Sequence, residues 1–223
     1  MCRRYSQTAK LENLTIRFRL EDTDILVKPR YNLAPGQVAQ VIINEGKKTL
    51  KMMQWGLIPS WSKDPSSEDK VINVRAETLT EKSSFKTLLS ERRCLVLADG
   101  FYEWSKGNRE EKIPIRYVLK TREPFAFAGL WDSWRKPDRE FQAFTIITTG
   151  ANDVVRLFHD RMPVILRKND EGKWLDPELK DPTKLLPLLK PYPPKRMESY
   201  PVSRLVNSPT FDTLECILPE NPF

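Results

Sequence analysis

Position 2 of the chain is a cysteine, in the run Met1-Cys2-Arg3-Arg4-Tyr5. A small residue there permits removal of the initiator methionine, which would leave Cys2 with both a free α-amine and a thiol. The amine titrates near ~7.7–8.0 and the thiol near ~8.5, so both have a usable unprotonated fraction around neutral pH. Such a 1,2-aminothiol condenses with an aldehyde to an imine, and the thiol then closes a five-membered thiazolidine ring. An internal cysteine has no amine with which to do this. Arg3 and Arg4 are expected to favour the thiolate. Position alone leaves the opposite reading open, a frayed and inert terminus.

Other groups could serve the same chemistry. Glu103 lies between Tyr102 and Trp104. In an alternating strand both aromatics point away from it, and a carboxylate in aromatic surroundings has a raised pKa that suits proton transfer. A surface-strand glutamate is the alternative. His159 is the only histidine, hence the only side chain with an unperturbed pKa near neutrality; it also reads as a helix-end residue on terminal carbonyls. Asn73 can donate and accept hydrogen bonds, as a turn residue also does. Arg75 and Arg161 follow Asn73 and His159 by two residues, so in extended backbone each sets a cation on the same face, suited to phosphates. Arg4 is a third such cation. Trp61 and Trp104 are candidates for stacking on bases, with core packing as the alternative.

Several short segments occur together: Tyr31-Asn32-Leu33-Ala34-Pro35, Trp55 to Trp61, Asn73-Val74-Arg75-Ala76-Glu77-Thr78, Ala98-Asp99-Gly100-Phe101-Tyr102-Glu103-Trp104, and Thr148 to Asn152 followed by His159-Asp160-Arg161-Met162-Pro163. With the N-terminal Met-Cys, this ordered set resembles the SRAP (SOS response-associated peptidase) family from Cys2 to about Asn207. The resemblance implies a protein that senses abasic sites in single-stranded DNA and captures them covalently, with removal of its own Met1 as the proposed peptidase activity. It implies Cys2 as nucleophile, Glu103 as acid/base group, His159 as proton donor to the abasic-site oxygen, and Asn73 as the residue orienting the Cys2 amine; Asn32 is a weaker candidate for the same pocket. No metal or organic cofactor is implied. Two positions depart from the family pattern. Arg3 stands where Gly is usual, and so alters the backbone approach at the nucleophile or adds a phosphate contact. Val74 replaces the usual Ala.

These groups need a scaffold. The chain has 223 residues, 39% hydrophobic and 10% aromatic, enough to build a core. A net charge of +7 favours polyanionic partners. Three widely spaced cysteines argue against a disulfide framework or a zinc site. No signal peptide and no membrane-spanning stretch is evident, so a cytoplasmic, nucleoid- or chromosome-associated protein is expected, as a monomer.

Helices are predicted over Thr8 to about Phe18, Ser83 to Ser90 with Ser83 at its start, and Asn152 to Phe158 with Asn152 as N-cap. Strands are predicted over Val38–Asn44, Thr49–Trp55, Cys94–Leu97, Phe101–Trp104, Ile115–Leu119, Phe125–Trp131, Phe141–Thr148 and Val164–Leu166. Tyr31–Gly36 reads as a turn and Leu57–Ser67 as a loop. The Pro-rich stretch Asp176–Arg196 reads as a connection holding one helix, and the tail from Tyr200 as a last strand or loop. The expected fold is therefore α+β, one domain over residues 1–223 with a largely antiparallel β core. Two rival functions remain. One is an N-terminal-nucleophile amidohydrolase, whose α-amine would act as base. The other is a non-covalent single-strand binder.

Overall fold

Strands in this chain are buried on both faces, and that decides the architecture. A computed structural model describes residues 2–21, 25–58, 70–105, 112–136 and 139–220. In chain order the strands are β1 (Tyr5–Gln7), β2 (Arg30–Leu33), β3 (Val38–Asn44), β4 (Lys48–Trp55), β5 (Asn73–Arg75), β6 (Arg93–Ala98), β7 (Gly100–Trp104), β8 (Pro114–Leu119), β9 (Phe125–Lys136), β10 (Arg139–Gly150), β11 (Arg161–Pro163) and β12 (Met197–Pro201). The helices are α1 (Leu11–Phe18), α2 (Ser83–Glu91), α3 (Asp153–Arg156), α4 (Lys168–Trp174) and α5 (Pro182–Leu185).

One sheet runs β10-β4-β3-β6-β9, and β9 also pairs with β10, so these five strands close into a small barrel. The closing β10–β4 pair is parallel, as is β10–β5; the other pairings are antiparallel. A second sheet, β12-β8-β7-β1-β2, is antiparallel throughout. The α+β class with a largely antiparallel core stands as expected.

Alternation along the barrel strands feeds two cores. Val41, Ile43, Cys94 and Val96 join Tyr5, Phe101 and Tyr117 of the second sheet. Ile42, Leu95 and Leu97 face the helical side, with Leu14 and Phe18 of α1, Leu89 of α2 and Trp174 of α4. Two buried faces explain why these strands read as nearly unbroken apolar runs.

The structure corrects two local expectations and adds one helix. Tyr31 to Leu33 lies in strand β2, and only the end of that segment turns, with Gly36 at φ 86°. Val164–Leu166 is not a strand. Its backbone alternates between Val164 N–H on Ile147 O and Leu166 N–H on Ala126 O, and the strand proper is β11 just before it. Helix α2 begins at Ser83 as expected, and its cap Lys82 makes no side-chain hydrogen bond. Helix α4 was not expected, because its sequence is polar and only Glu171 and Trp174 are buried. By contrast Asn152 caps α3 as predicted, its side chain accepting from Val154 and Val155 N–H. Most of the predicted loop Leu57–Ser67, with Trp61, lies outside the described residues.

Candidate active site

The β1–β7 ladder sets the nucleophile beside the acid/base candidate. Tyr5 pairs with Phe101 and Ser6 with Gly100, and Tyr102 N–H donates to Arg4 O at 3.0 Å. Continued toward the terminus, this register sets Arg3 opposite Glu103 and Cys2 opposite Trp104, near enough for the charge of Glu103 to act on the Cys2 thiol.

A buried polar knot locks the register. Asp99 accepts from Ser6 Oγ at 2.6 Å, from Thr8 Oγ1 at 2.7 Å and from the Arg116 guanidinium at 2.9 Å. Arg116 also donates to Tyr200 OH at 2.7 Å. Gly100 must be glycine here, since a Cβ would lie 2.7 Å from Arg116 Nε. The Asp99-Gly100 pair of the sequence motif thus holds β1 against β7.

Cys2 is fully buried, and its Sγ donates to Arg4 O at 3.5 Å. Burial first, and the charge of Glu103 second, push the thiol well above its ordinary value. This corrects the expected thiolate. Arg4 turns away, donating to Arg3 O at 3.2 Å and Asn207 O at 3.3 Å, and Arg3 is exposed. Burial thus favours the neutral thiol over the thiolate. Asn73, on β5, donates from Nδ2 to Cys2 O at 2.8 Å. Its Oδ1 is buried with no hydrogen-bond partner among the described residues.

Glu103 is 4% exposed, and its flanking aromatics Tyr102 and Trp104 pack together in a separate cluster. Burial pushes its carboxyl up to about 7, against a lowering pull from the charge of the chain's N-terminus first and of Arg3 after it. The negative charge on Glu103 adds to burial in raising the nearby Tyr117 phenol.

His159 follows α3, its N–H bonded to Val155 O at 2.9 Å. Its Nδ1 lies 2.9 Å from Arg161 N–H and 2.9 Å from an Asp160 carboxylate oxygen. Those contacts belong to different protonation states. In the neutral ring Nδ1 accepts from the backbone and Nε2 carries the hydrogen; in the imidazolium Nδ1–H turns to Asp160. Burial holds the ring below the ordinary histidine pKa, and Asp160 offsets part of that.

Glu103 and His159 meet in a cleft of ≈ 930 Å³, with Arg3, Arg4, Arg75, Lys112 and Arg161 around it and Asp160 as the other acid. Arg75 is exposed. Arg161 is engaged within the protein, donating to both Glu77 carboxylate oxygens at 2.8 and 2.9 Å and to Thr148 O at 2.8 Å. Trp104 is half-buried, and its Nε1 donates to Asn207 Oδ1 at 2.7 Å. Cys2 and Asn73 do not line this cleft themselves; they meet at the Cys2 carbonyl, next in the chain to Arg3 of the cleft wall.

Trp61 lies outside the described residues, and Asn32 sits elsewhere. The Asn32 amide nitrogen lies 2.8–3.2 Å from the carbonyls of Val206, Ser208 and Phe211, so it anchors the tail and corrects the weaker pocket assignment. Sequence reasoning missed Glu77, Asp160, Lys112 and Asn207. Glu77 was within a quoted segment, two residues beyond Arg75. Asn207 carried no local signal, because its site partner Trp104 is more than a hundred residues away in the chain. Among the described residues no cluster of His, Cys, Asp or Glu could hold a metal ion, and no helix is long and apolar enough to cross a membrane.

A family model described as SOS response associated peptidase (SRAP) matches residues 1–209. The chain is 43% identical over 221 residues to the abasic site processing protein YoqW of Bacillus subtilis, covering 97% of this chain and 99% of that one. It is 33% identical to the abasic site processing protein HMCES of Xenopus tropicalis, covering 85% of this chain and 66% of that one. A crystal structure of a protein from Bacteroides thetaiotaomicron superposes with a TM-score of 0.86 at 27% identity, over 99% of this chain and all of the other.

Proposed function

The chain belongs to the SOS response associated peptidase (SRAP) family, and on that premise we propose that, as a single domain, it captures abasic sites in single-stranded DNA through Cys2. Processing of abasic sites is the function its relatives' names carry, and the family description adds the SOS response. The observation that most supports covalent capture is the pairing of a buried terminal cysteine with a carboxyl raised to about 7 on the neighbouring strand. A group poised at that value both gives and takes protons at neutral pH.

Met1 must leave before the Cys2 amine exists, and the same cleft is the candidate for that hydrolysis. The abasic sugar opens to its aldehyde as His159 protonates the departing ring oxygen and Glu103 removes the proton from the anomeric hydroxyl. The Cys2 amine attacks C1, and the carbinolamine loses water to give an iminium, with Glu103 delivering the proton to the leaving hydroxyl. The neutral thiol then adds to C1. A C–S bond forms, the C=N π pair returns to nitrogen, and the thiol proton passes to the Glu103 carboxylate. In this order the amine leads, so a high thiol pKa is no obstacle. That same high pKa counts against a thiolate that attacks amides, the amidohydrolase alternative. Asn73 orients the Cys2 backbone and offers its buried Oδ1 to the amine or a sugar hydroxyl. Arg3, Arg75 and Lys112 neutralise the flanking phosphates, with Arg161 held by Glu77 to support the His159 turn. The iminium also permits β-elimination, so strand cleavage is a side reaction.

Denaturing intact-mass measurement after incubation with a single-stranded oligonucleotide carrying one abasic site tests this. The expected species lacks Met1 and gains the mass of the DNA minus one water. Unmodified protein, or an equal adduct from Cys2→Ala, would sink covalent capture by the terminal aminothiol.

A further inference from the structure

A second groove, of ≈ 690 Å³, opens where the ends of β8 and β12 meet the start of α4, and it shares no lining residue with the Cys2 cleft. Six cations line it: Arg17, Lys120, Arg167, Lys168, Lys195 and Arg196. The only acids in its wall are Glu123 and Asp170. Two of the cations are already engaged, Arg17 with Glu171 and Lys168 with Glu123. Lys120, Arg167, Lys195 and Arg196 are exposed and make no ion pair among the described residues. Lys120 N–H bonds Arg196 O at 3.0 Å, so two of these cations are cross-strand neighbours. Like charges so placed destabilise a sheet, and an anion lying between them removes the penalty.

The groove is joined to the first cleft through one short element. Tyr192, half-buried in the groove wall, has its carbonyl held by Asn152 Nδ2 at 2.7 Å. Asn152 caps α3, and the chain leaving α3 supplies Phe158 and His159 to the Cys2 cleft. Asn152 and Phe158 lie on either side of that single helical turn, so one short piece of chain connects the two grooves. Tyr192 adds an aromatic face among the cations, the combination used to hold single strands without sequence preference.

We propose that this groove holds the phosphate backbone of the same single-stranded DNA a few nucleotides away from the lesion. The inference rests on the cleft's assignment as a DNA site and extends the footprint beyond it. The test is the triple neutral variant Lys120→Gln/Lys195→Gln/Arg196→Gln, three exposed positions where folding is not at stake. Equilibrium binding of lesion-free oligonucleotides of about five and about fifteen nucleotides is compared across salt concentrations, lengths chosen to bracket common single-strand site sizes. The longer strand is expected to lose roughly tenfold or more in affinity. Its salt slope is expected to fall by about 2, three contacts at about 0.7 each. The shorter strand stays within about twofold of wild type. Equal losses at both lengths, no loss at either, or a variant that loses only inorganic phosphate binding would each overturn the proposal. Adduct formation on a short oligonucleotide with one abasic site is scored separately. Its absence in the wild type, with the length effect intact, removes covalent capture and leaves the groove.

Discussion

Asp99 and Glu103 stand four residues apart around the start and end of one strand, the first half-buried and the second buried, yet they are treated in opposite ways. Asp99 is surrounded by donors, with Ser6, Thr8 and a guanidinium all turned onto it. Glu103 is left where burial outweighs the help it receives, and its carboxyl rises to about 7. The first arrangement fixes geometry. The second holds a proton that can move. A single ladder, β1 on β7, carries both, so the rigid end sets the position of the reactive one. The lesson is that burial of a carboxylate says little by itself; whether it is structural or chemical depends on whether its partners cover the cost of desolvation.

The comparison can be broken most sharply at the reactive end. Replacing Cys2 by Ala removes the ring-closing thiol, and no denaturation-resistant adduct is expected on a gel after heating. Glu103→Gln keeps the shape and removes the mobile proton; the adduct should form about 10²–10⁴-fold more slowly, read from single-turnover time courses. At the rigid end the effect moves from rate to stability. Asp99→Asn leaves Arg116 buried without its counter-charge and should cost about 3–5 kcal/mol in urea unfolding, while the rate per folded molecule stays within a few-fold. Smaller still is Trp104→Ala. Lost stacking should weaken single-strand binding by about 1–3 kcal/mol and leave the rate at saturating DNA unchanged.

Much of this was legible in the chain, for identifiable reasons. The barrel strands announce themselves because both faces are buried, which writes long apolar runs into β3, β6, β9 and β10. Asn152 announces α3 because a cap is a local interaction. Glu103 could be singled out because its neighbours alternate with it along a strand. What stayed hidden was set by distant partners. Strand β2 reads as a turn because its pairing with β1 and the Asp212 carboxylate that accepts from its Tyr31 and Asn32 N–H groups lie far along the chain. The expected thiolate at Cys2 failed for a similar reason: sequence places two arginines beside it, but the fold turns Arg4 toward Asn207 and encloses the sulfur. Arg161 reads from the sequence as a phosphate contact, but Glu77, in the 3-10 turn that follows β5, holds its guanidinium with two hydrogen bonds.

Stability against pH offers the most direct test of the contrast between the two carboxylates. Glu103 has a native pKa raised above its unfolded value, so between the usual carboxylate range and about 7 the native state binds more protons than the unfolded one. Stability therefore falls as pH rises through that window, and the deficit is complete above it. Glu103→Gln cannot ionise and escapes the loss. Urea unfolding of Glu103→Gln and wild type, at about pH 5 and about pH 8, measures the difference. The expected result is a variant more stable than wild type by a few kcal/mol at the higher pH, roughly as the shift converts, with the gain shrinking toward zero at the lower one. A variant that is less stable than wild type at about pH 8 would contradict the reading: Glu103 would then be a satisfied structural carboxylate like Asp99, and its role as the proton carrier for capture would fall with it.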